Sequence, residues 1–336
     1  MSDDPALQPA QRILAVDYFR GLAVLLMLVY DYVPFFTRNV PLIFQHGRED
    51  RLLFGDLVAP FFLFIMGFSL ALSVNKRRTS GSNESDILRH VLVRSILLLG
   101  IGFFIDITRG MVIGGGLALS WGVLETLGAS YLFSYFVMRF RRLDAQILII
   151  SISLGIHLAL SSFFPWYRNV VRSISHGSPF SVLAWAPIAV IGTICGKRFI
   201  EDGRRFRVFL AEVGIVSILI GSAVSPISPL TKRLVTSSYA LVSSGASALL
   251  LLLVYSLVED RKQALVIRLL KPLREFGVSA LLAWALQYIV AVYFIYYFHK
   301  YGKLAPFPGI LLAFAMILAV WLVVREANRR KIGLRI

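Results

Sequence analysis

The sequence predicts an all-α membrane protein: a polytopic bundle of about ten transmembrane helices, both termini cytoplasmic, in a single domain over residues 1–336. Three observations lead there. Of the 336 residues, 57% are hydrophobic and 16% charged, with a mean hydropathy of +0.73, whereas a soluble domain carries about 25% charged residues. The apolar residues gather in runs close to the roughly 20 residues that cross a bilayer core. The remaining cations sit mostly between the runs, dense in every second break and sparse in the others.

Read against their charged and Pro/Gly-rich breaks, the runs give spans near 13–33, 52–74, 88–107, 121–138 and 143–164. Five more lie near 180–196, 208–225, 235–257, 275–297 and 306–324. The fourth follows the glycine run Gly114-Gly115-Gly116, and Gly192 and Gly196 in the sixth predict close helix packing. Lys76–Asp86 is the most linker-like stretch, and no segment has the composition of a soluble domain. The length of the first span, Asp3 and Asp4 ahead of it, and the lack of a small-residue cleavage site after it predict a retained helix.

A net charge of +16 would suit nucleic acid if the cations formed one patch. They do not, and no nucleic-acid partner is expected. With a cytoplasmic N-terminus, 24 of the 35 Lys and Arg residues fall on the inner side, in clusters such as Lys76-Arg77-Arg78, Arg139/Arg141/Arg142 and Lys197/Arg198. This is the positive-inside bias, so the basic balance is mostly topogenic. The single cysteine, Cys195, allows no intrachain disulfide, and no metal site is expected.

Charges inside spans cost roughly 2.5–3.5 kcal/mol each at the helix centre, so each asks for a reason. The first span carries Asp17, Arg20 and Asp31. At 100° per residue these share one stripe with Gly21, Val24 and Leu28, which must face the protein interior or a water-filled cavity. Asp17 and Arg20 can pair near the inner end, either as a structural clamp or as part of a ligand site. Asp31 lies roughly 21 Å further along the axis, near the outer surface. Asp56 opens the second span, as a helix cap or as a functional carboxylate. His46 precedes it in the first outer loop, and a histidine beside a carboxylate is the usual general-base arrangement. His157, alone in an apolar span, reads as a packed, hydrogen-bonded core residue.

These residues stand in a pattern. Val16-Asp17-Tyr18-Phe19-Arg20-Gly21, an apolar span, then Asp56-Leu57-Val58-Ala59-Pro60-Phe61-Phe62-Leu63-Phe64-Ile65-Met66-Gly67 resembles the heparan-α-glucosaminide N-acetyltransferase family of multi-pass membrane acyltransferases. The ten-residue spacing from His46 to Asp56 is also similar. Trp121-Gly122-Val123-Leu124-Glu125-Thr126-Leu127-Gly128 is similar to a second family signature, G-V-L-Q-x-x-G, and weaker echoes lie at 230–245 and 272–282.

The resemblance implies transfer of acetyl from cytosolic acetyl-CoA, the acyl donor, to an amine of an extracytoplasmic amino sugar or glycan at the cell membrane. It maps the catalytic histidine to His46 and an assisting asparagine to Asp31. Three departures accompany it: that amide is a carboxylate, the usual H-x-x-W-x-G reads His46-Gly47-Arg48-Glu49-Asp50-Arg51, and the glutamine of G-V-L-Q is Glu125. The catalytic candidates are His46, Asp31 and Asp56; the donor-binding candidates are Arg20, Asp17 and Glu125. His46 can take the acceptor proton, or carry a transient acetyl group. Asp31 can stabilise the oxyanion if burial keeps it protonated, or it can orient His46. The phosphates of coenzyme A suit the inner arginine clusters. Two other functions fit the residues: O-acylation with another acyl group, and a transporter whose polar path includes Asp17, Arg20, Asp31, Glu125 and His157. A homodimer is compatible with either.

Overall fold

The computed structural model describes residues 13–47, 51–113, 120–174, 176–260 and 264–332. In chain order they form helices α1 (Leu14–Phe36), α2 (Val58–Thr79), α3 (Glu84–Ile113), α4 (Val123–Met138), α5 (Leu143–Phe163), α6 (Pro165–Arg172) and α7 (Val182–Glu201). Then come α8 (Phe206–Val224), α9 (Ser237–Tyr255), α10 (Ala264–Leu269), α11 (Lys271–Val278), α12 (Ala280–Tyr301) and α13 (Pro306–Arg329). Among the described residues no strand is formed, and eight helices are long and apolar enough to cross a membrane. The fourth expected span is α4, apolar but only 16 residues long, and the ninth is the 22-residue α12. The glycine run expected ahead of α4 lies outside the described residues, as do Arg48, Glu49, Asp50, Arg261 and Lys262.

Two boundaries differ from the sequence reading for local reasons. Helix α3 begins at Glu84 rather than near 88, because the Asn83 side chain accepts the Asp86 N–H at 2.8 Å and caps the helix. The ninth span was expected from 275, but the chain breaks at Ser279, whose backbone (φ −125°, ψ 45°) is not helical. Short α11 instead packs flat on α1. A β-carbon on Gly277 would lie 1.8 Å from the Asp17 carbonyl oxygen, and one on Gly21 would lie 1.7 Å from that of Leu273. The two glycines let the backbones touch.

Helices α2 and α7 occupy the centre, with 67% and 72% of their span residues buried, against 22% for α3 and α8. They meet through glycines. A β-carbon on Gly67 would lie 1.9 Å from the Ala189 carbonyl oxygen, and Gly192 and Gly196 abut the backbone at Phe64 and Phe68. The close packing expected of Gly192 and Gly196 is thus met. Around this centre the peripheral helices expose Ile96, Phe104, Leu219, Leu311 and Leu318, an apolar coat suited to lipid rather than water. Buried hydroxyls on α9 mostly return to their own helix, as Ser244 does to the Ala240 carbonyl at 2.7 Å, so they satisfy themselves without water.

The loops gather at two ends. At one, Arg38 N–H donates to the Leu304 carbonyl (2.8 Å), and the Trp185 indole N–H donates to the His176 carbonyl (3.0 Å). There too His157 is buried as expected, its Nδ1 2.8 Å from the Tyr167 hydroxyl and its Nε2 3.0 Å from the Leu234 carbonyl. At the other end lie Lys76–Arg78, Arg139–Arg142 and Lys197, together with the Ser279–Asn328 bond of 2.7 Å.

Candidate active site

At the first of these ends, the chain leaves α1 and turns back to α2. A single 3₁₀ turn, Phe54–Leu57, starts the second span, and its buried Asp56 ties the turn together. Asp56 Oδ2 accepts two backbone N–H groups, from Leu53 at 3.0 Å and Gly47 at 2.9 Å. Asp56 Oδ1 lies 3.2 Å from His46 Nδ1. The cap and the dyad that the sequence left as alternatives are one arrangement. Gly47 has no room for a side chain, since a β-carbon would lie 2.5 Å from Asp56 Oδ2 and 1.8 Å from the Arg51 carbonyl oxygen. From α9, the Tyr239 hydroxyl donates to the Asp56 carbonyl at 2.6 Å and fixes the turn from behind.

The geometry sets the tautomer of His46. A carboxylate only accepts, so Nδ1 carries the proton toward Asp56 and Nε2 keeps a free lone pair. The side chain is 39% exposed, open to an approaching molecule. On its other flank the Tyr30 ring stands 5.8 Å away, held by its hydroxyl donating to the Ile43 carbonyl at 2.9 Å.

Asp31 accepts from the Gln287 amide of α12 and is exposed. The burial that would keep it protonated is therefore absent, because it stands toward the C-terminal end of α1 rather than under the bundle. Two residues that the sequence reading passed over complete this end. Lys232, in the loop before α9, lies within electrostatic reach of Asp56 and Asp31. His176, before α7, feels both Lys232 and His46. Enclosure by protein lowers the Lys232 ammonium, and the two carboxylates act against that. His176 is pushed down to about 3 by burial, then by the Lys232 and His46 charges, so it is neutral near pH 7.

Arg20 lies deeper in the bundle. It donates through Nη1 to the Gly277 carbonyl (3.2 Å) and through Nη2 to Ser69 Oγ (3.0 Å), and Nη1 is 3.6 Å from the carboxylate of buried Asp17. It lines a narrow cleft of about 130 Å³ among α1, α2, α3, α4 and α12. Arg94 enters the same cleft, with its guanidinium 4.8 Å from the centre of the Tyr131 ring. The sequence reading had counted Arg94 as topogenic. Beyond these cations the walls are apolar: Met27, Leu98, Leu124 and Trp284. Those four pack in one hydrophobic cluster with Tyr30 and Val58. Glu125 does not line it. Its Oε2 accepts the Gly122 N–H at 3.0 Å and caps α4 against Gly102. Among the described residues no cluster of His, Cys, Asp and Glu could hold a metal ion.

Residues 12–225 match the catalytic domain of heparan-alpha-glucosaminide N-acetyltransferase, well over half of the chain. The chain belongs to this acetyltransferase family. Two relatives carry that name. The mouse protein is 36% identical over 128 residues, which is 36% of this chain and 18% of the mouse protein. The human protein is 36% identical over 132 residues, 38% of this chain and 18% of the human protein. The matched stretches thus span under a fifth of each relative's length. The family match includes the α1–α2 turn with His46 and Asp56, the Arg20 cleft on α1–α4, and His176, but ends before Lys232.

Proposed function

We propose that this multi-pass membrane protein transfers an acetyl group from cytosolic acetyl-CoA to an amine of an amino sugar or related glycan on the far side of the cell membrane. The observation that carries this reading is the His46–Asp56 pair, 3.2 Å apart with the carboxylate buried and the imidazole exposed, in a chain of this family. The cation bias supports the orientation, with the His46 end outside.

The cleft suits a thioester donor: its two guanidinium groups answer anionic or carbonyl oxygens, and its apolar wall residues share a packed cluster with Tyr30, the ring beside His46. Acetyl-CoA supplies the activated acyl group. His46 Nε2 takes the acceptor proton as the amine attacks the thioester carbonyl, and Asp56 stabilises the imidazolium that forms. Collapse of the tetrahedral intermediate breaks the C–S bond and releases the coenzyme A thiolate, which takes up a proton to leave as the free thiol. Lys232 provides a positive field beside the pair for the developing oxyanion. Asp31, exposed and held by the buried Gln287, stands at the outer approach.

The test is His46→Ala in the full chain, reconstituted in lipid vesicles with acetyl-CoA and glucosamine. Acetyl transfer falls by about 10²–10⁴-fold, while acetyl-CoA binding and melting temperature stay as in the parent. A variant that transfers at the parent rate puts the chemistry elsewhere.

A further inference from the structure

Helix α2 turns opposite faces to two cavities. Phe62, Ile65, Met66 and Ser69 face the Arg20 cleft, while Ala71, Val74, Asn75 and Arg78 face a larger cavity of about 580 Å³. At 100° per residue the two sets lie about half a turn apart, so the body of α2 separates the cavities. The larger one opens at the cation-rich end of the bundle, where α2, α4 and α7 finish and α3 begins.

Four cations line it, Arg78, Arg139, Arg141 and Lys197, against two carboxylates, Glu84 and Glu201. Arg78 Nε pairs with Glu84 at 2.7 Å, and Glu201 lies 4.0 Å from Arg198. Lys197 Nζ donates to the Met138 carbonyl at 2.7 Å and the Phe140 carbonyl at 3.4 Å, closing the end of α4. The side chains of Arg139 and Arg141 are exposed and make no hydrogen bond or close ion pair among the described residues, although Arg139 lies within electrostatic reach of Glu84. Between them Phe140 is 52% exposed, and Val74, Met138 and Ile200 give the cavity an apolar wall.

We propose that this cavity binds the headgroup of an anionic phospholipid from the leaflet at that end, Arg139 and Arg141 holding the phosphate and the apolar wall the start of its acyl chains. A phosphate ester is the shared chemistry, and the diphosphate of a soluble nucleotide would offer it too. The apolar wall and exposed Phe140 favour the lipid, as does the position across α2 from the cleft. Basic pockets between helices at the cytoplasmic surface are the usual receptors for such headgroups. The inference goes beyond the acetyltransferase reading and stands without it.

The experiment uses the full chain in phosphatidylcholine nanodiscs, titrated with phosphatidylglycerol and, in separate arms, with inorganic phosphate and free coenzyme A. Phosphatidylglycerol raises the melting temperature by on the order of 2 °C, and native mass spectrometry finds one such lipid retained per chain. R139Q/R141Q melts like the parent in phosphatidylcholine alone and binds the lipid about 25-fold more weakly, roughly fivefold per arginine. Equal protection of parent and double variant overturns the site, as does an unprotected parent. Protection by phosphate or coenzyme A that vanishes in the double variant overturns the lipid and leaves a soluble-anion site. Should the double variant melt lower in phosphatidylcholine, Arg141→Gln alone decides, with a fivefold weakening expected and an unchanged affinity overturning the proposal.

Discussion

Replacing Asp56 by asparagine removes one charge and two lone pairs without changing shape. Its oxygens now serve three partners: two backbone N–H groups and the His46 Nδ1 proton. An amide has one oxygen. Facing the Gly47 and Leu53 N–H groups, it keeps the turn but presents its NH₂ to His46, which must then accept at Nδ1 and carry its proton at Nε2. The base loses its lone pair. The opposite flip sets an NH₂ against two N–H donors, at about 1–3 kcal/mol for each donor left unpaired, so the first orientation wins. Asp56→Asn should therefore fold, with a loss of about 1–2 kcal/mol, and lose about 10²–10⁴-fold in acetyl transfer. Asp56→Ala leaves both N–H groups unpaired and melts lower than the amide. The assay is release of free thiol from acetyl-CoA in vesicles, read from pH 6 to 9 beside melting temperature. A wrong tautomer has no basic form to recover, so alkaline pH does not rescue the amide variant. Transfer within about threefold of the parent, or full recovery at high pH, would refute the tautomer argument.

His176 is held near 3, far below the roughly 6.5 of an unfolded histidine, so the unfolded chain takes up a proton that the folded chain refuses. Its contribution is full above about pH 6.5 and is lost as pH falls toward 3; His176→Gln should flatten melting temperature over that window, and an unchanged acid slope would count against it. Gly67→Ala drives a β-carbon to 1.9 Å from a backbone oxygen at the α2–α7 crossing and should destabilise by about 1–3 kcal/mol or more. Gly155→Ala on exposed α5, with nothing within 4 Å, should be neutral or stabilising, and equal melting shifts for the two would sink the packing account. Arg20→Ala removes bonds to Gly277 and Ser69 and should lower both melting temperature and acetyl-CoA affinity; no change in either would remove Arg20 from the cleft's function.

The long helices were legible because a bilayer dictates their length and composition, and no tertiary contact can override that dictate. His46 and Asp56 could be paired from sequence because only ten residues and one 3₁₀ turn separate them. Lys232 and His176 could not. Each comes from a loop more than a hundred residues away and looks like an ordinary polar loop residue until the helices bring the loops together. Arg94 was hidden by the charge rule itself, which explains every inner cation equally well and so marks none as special. Glu125 drew attention as a buried carboxylate in a signature, but its hydrogen bond caps a helix. The break before α12 had no signal beyond Gly277 and Ser279, since only the neighbouring α1 backbone makes a flat α11 necessary.

The grip of one carboxylate on both Gly47 and Leu53 ties two points of the α1–α2 connection to the start of the second span. Among the described residues, His46 is held by Asp56 in the 3₁₀ turn there and by the Tyr30 ring of α1. Two of the few residues between the anchors differ from the letters expected of the family: Glu49 and Arg51 stand where H-x-x-W-x-G has tryptophan and glycine. On the proposed reading, grafting this short segment between family members should alter acceptor preference while the Asp56 contacts to Gly47, Leu53 and His46 are retained.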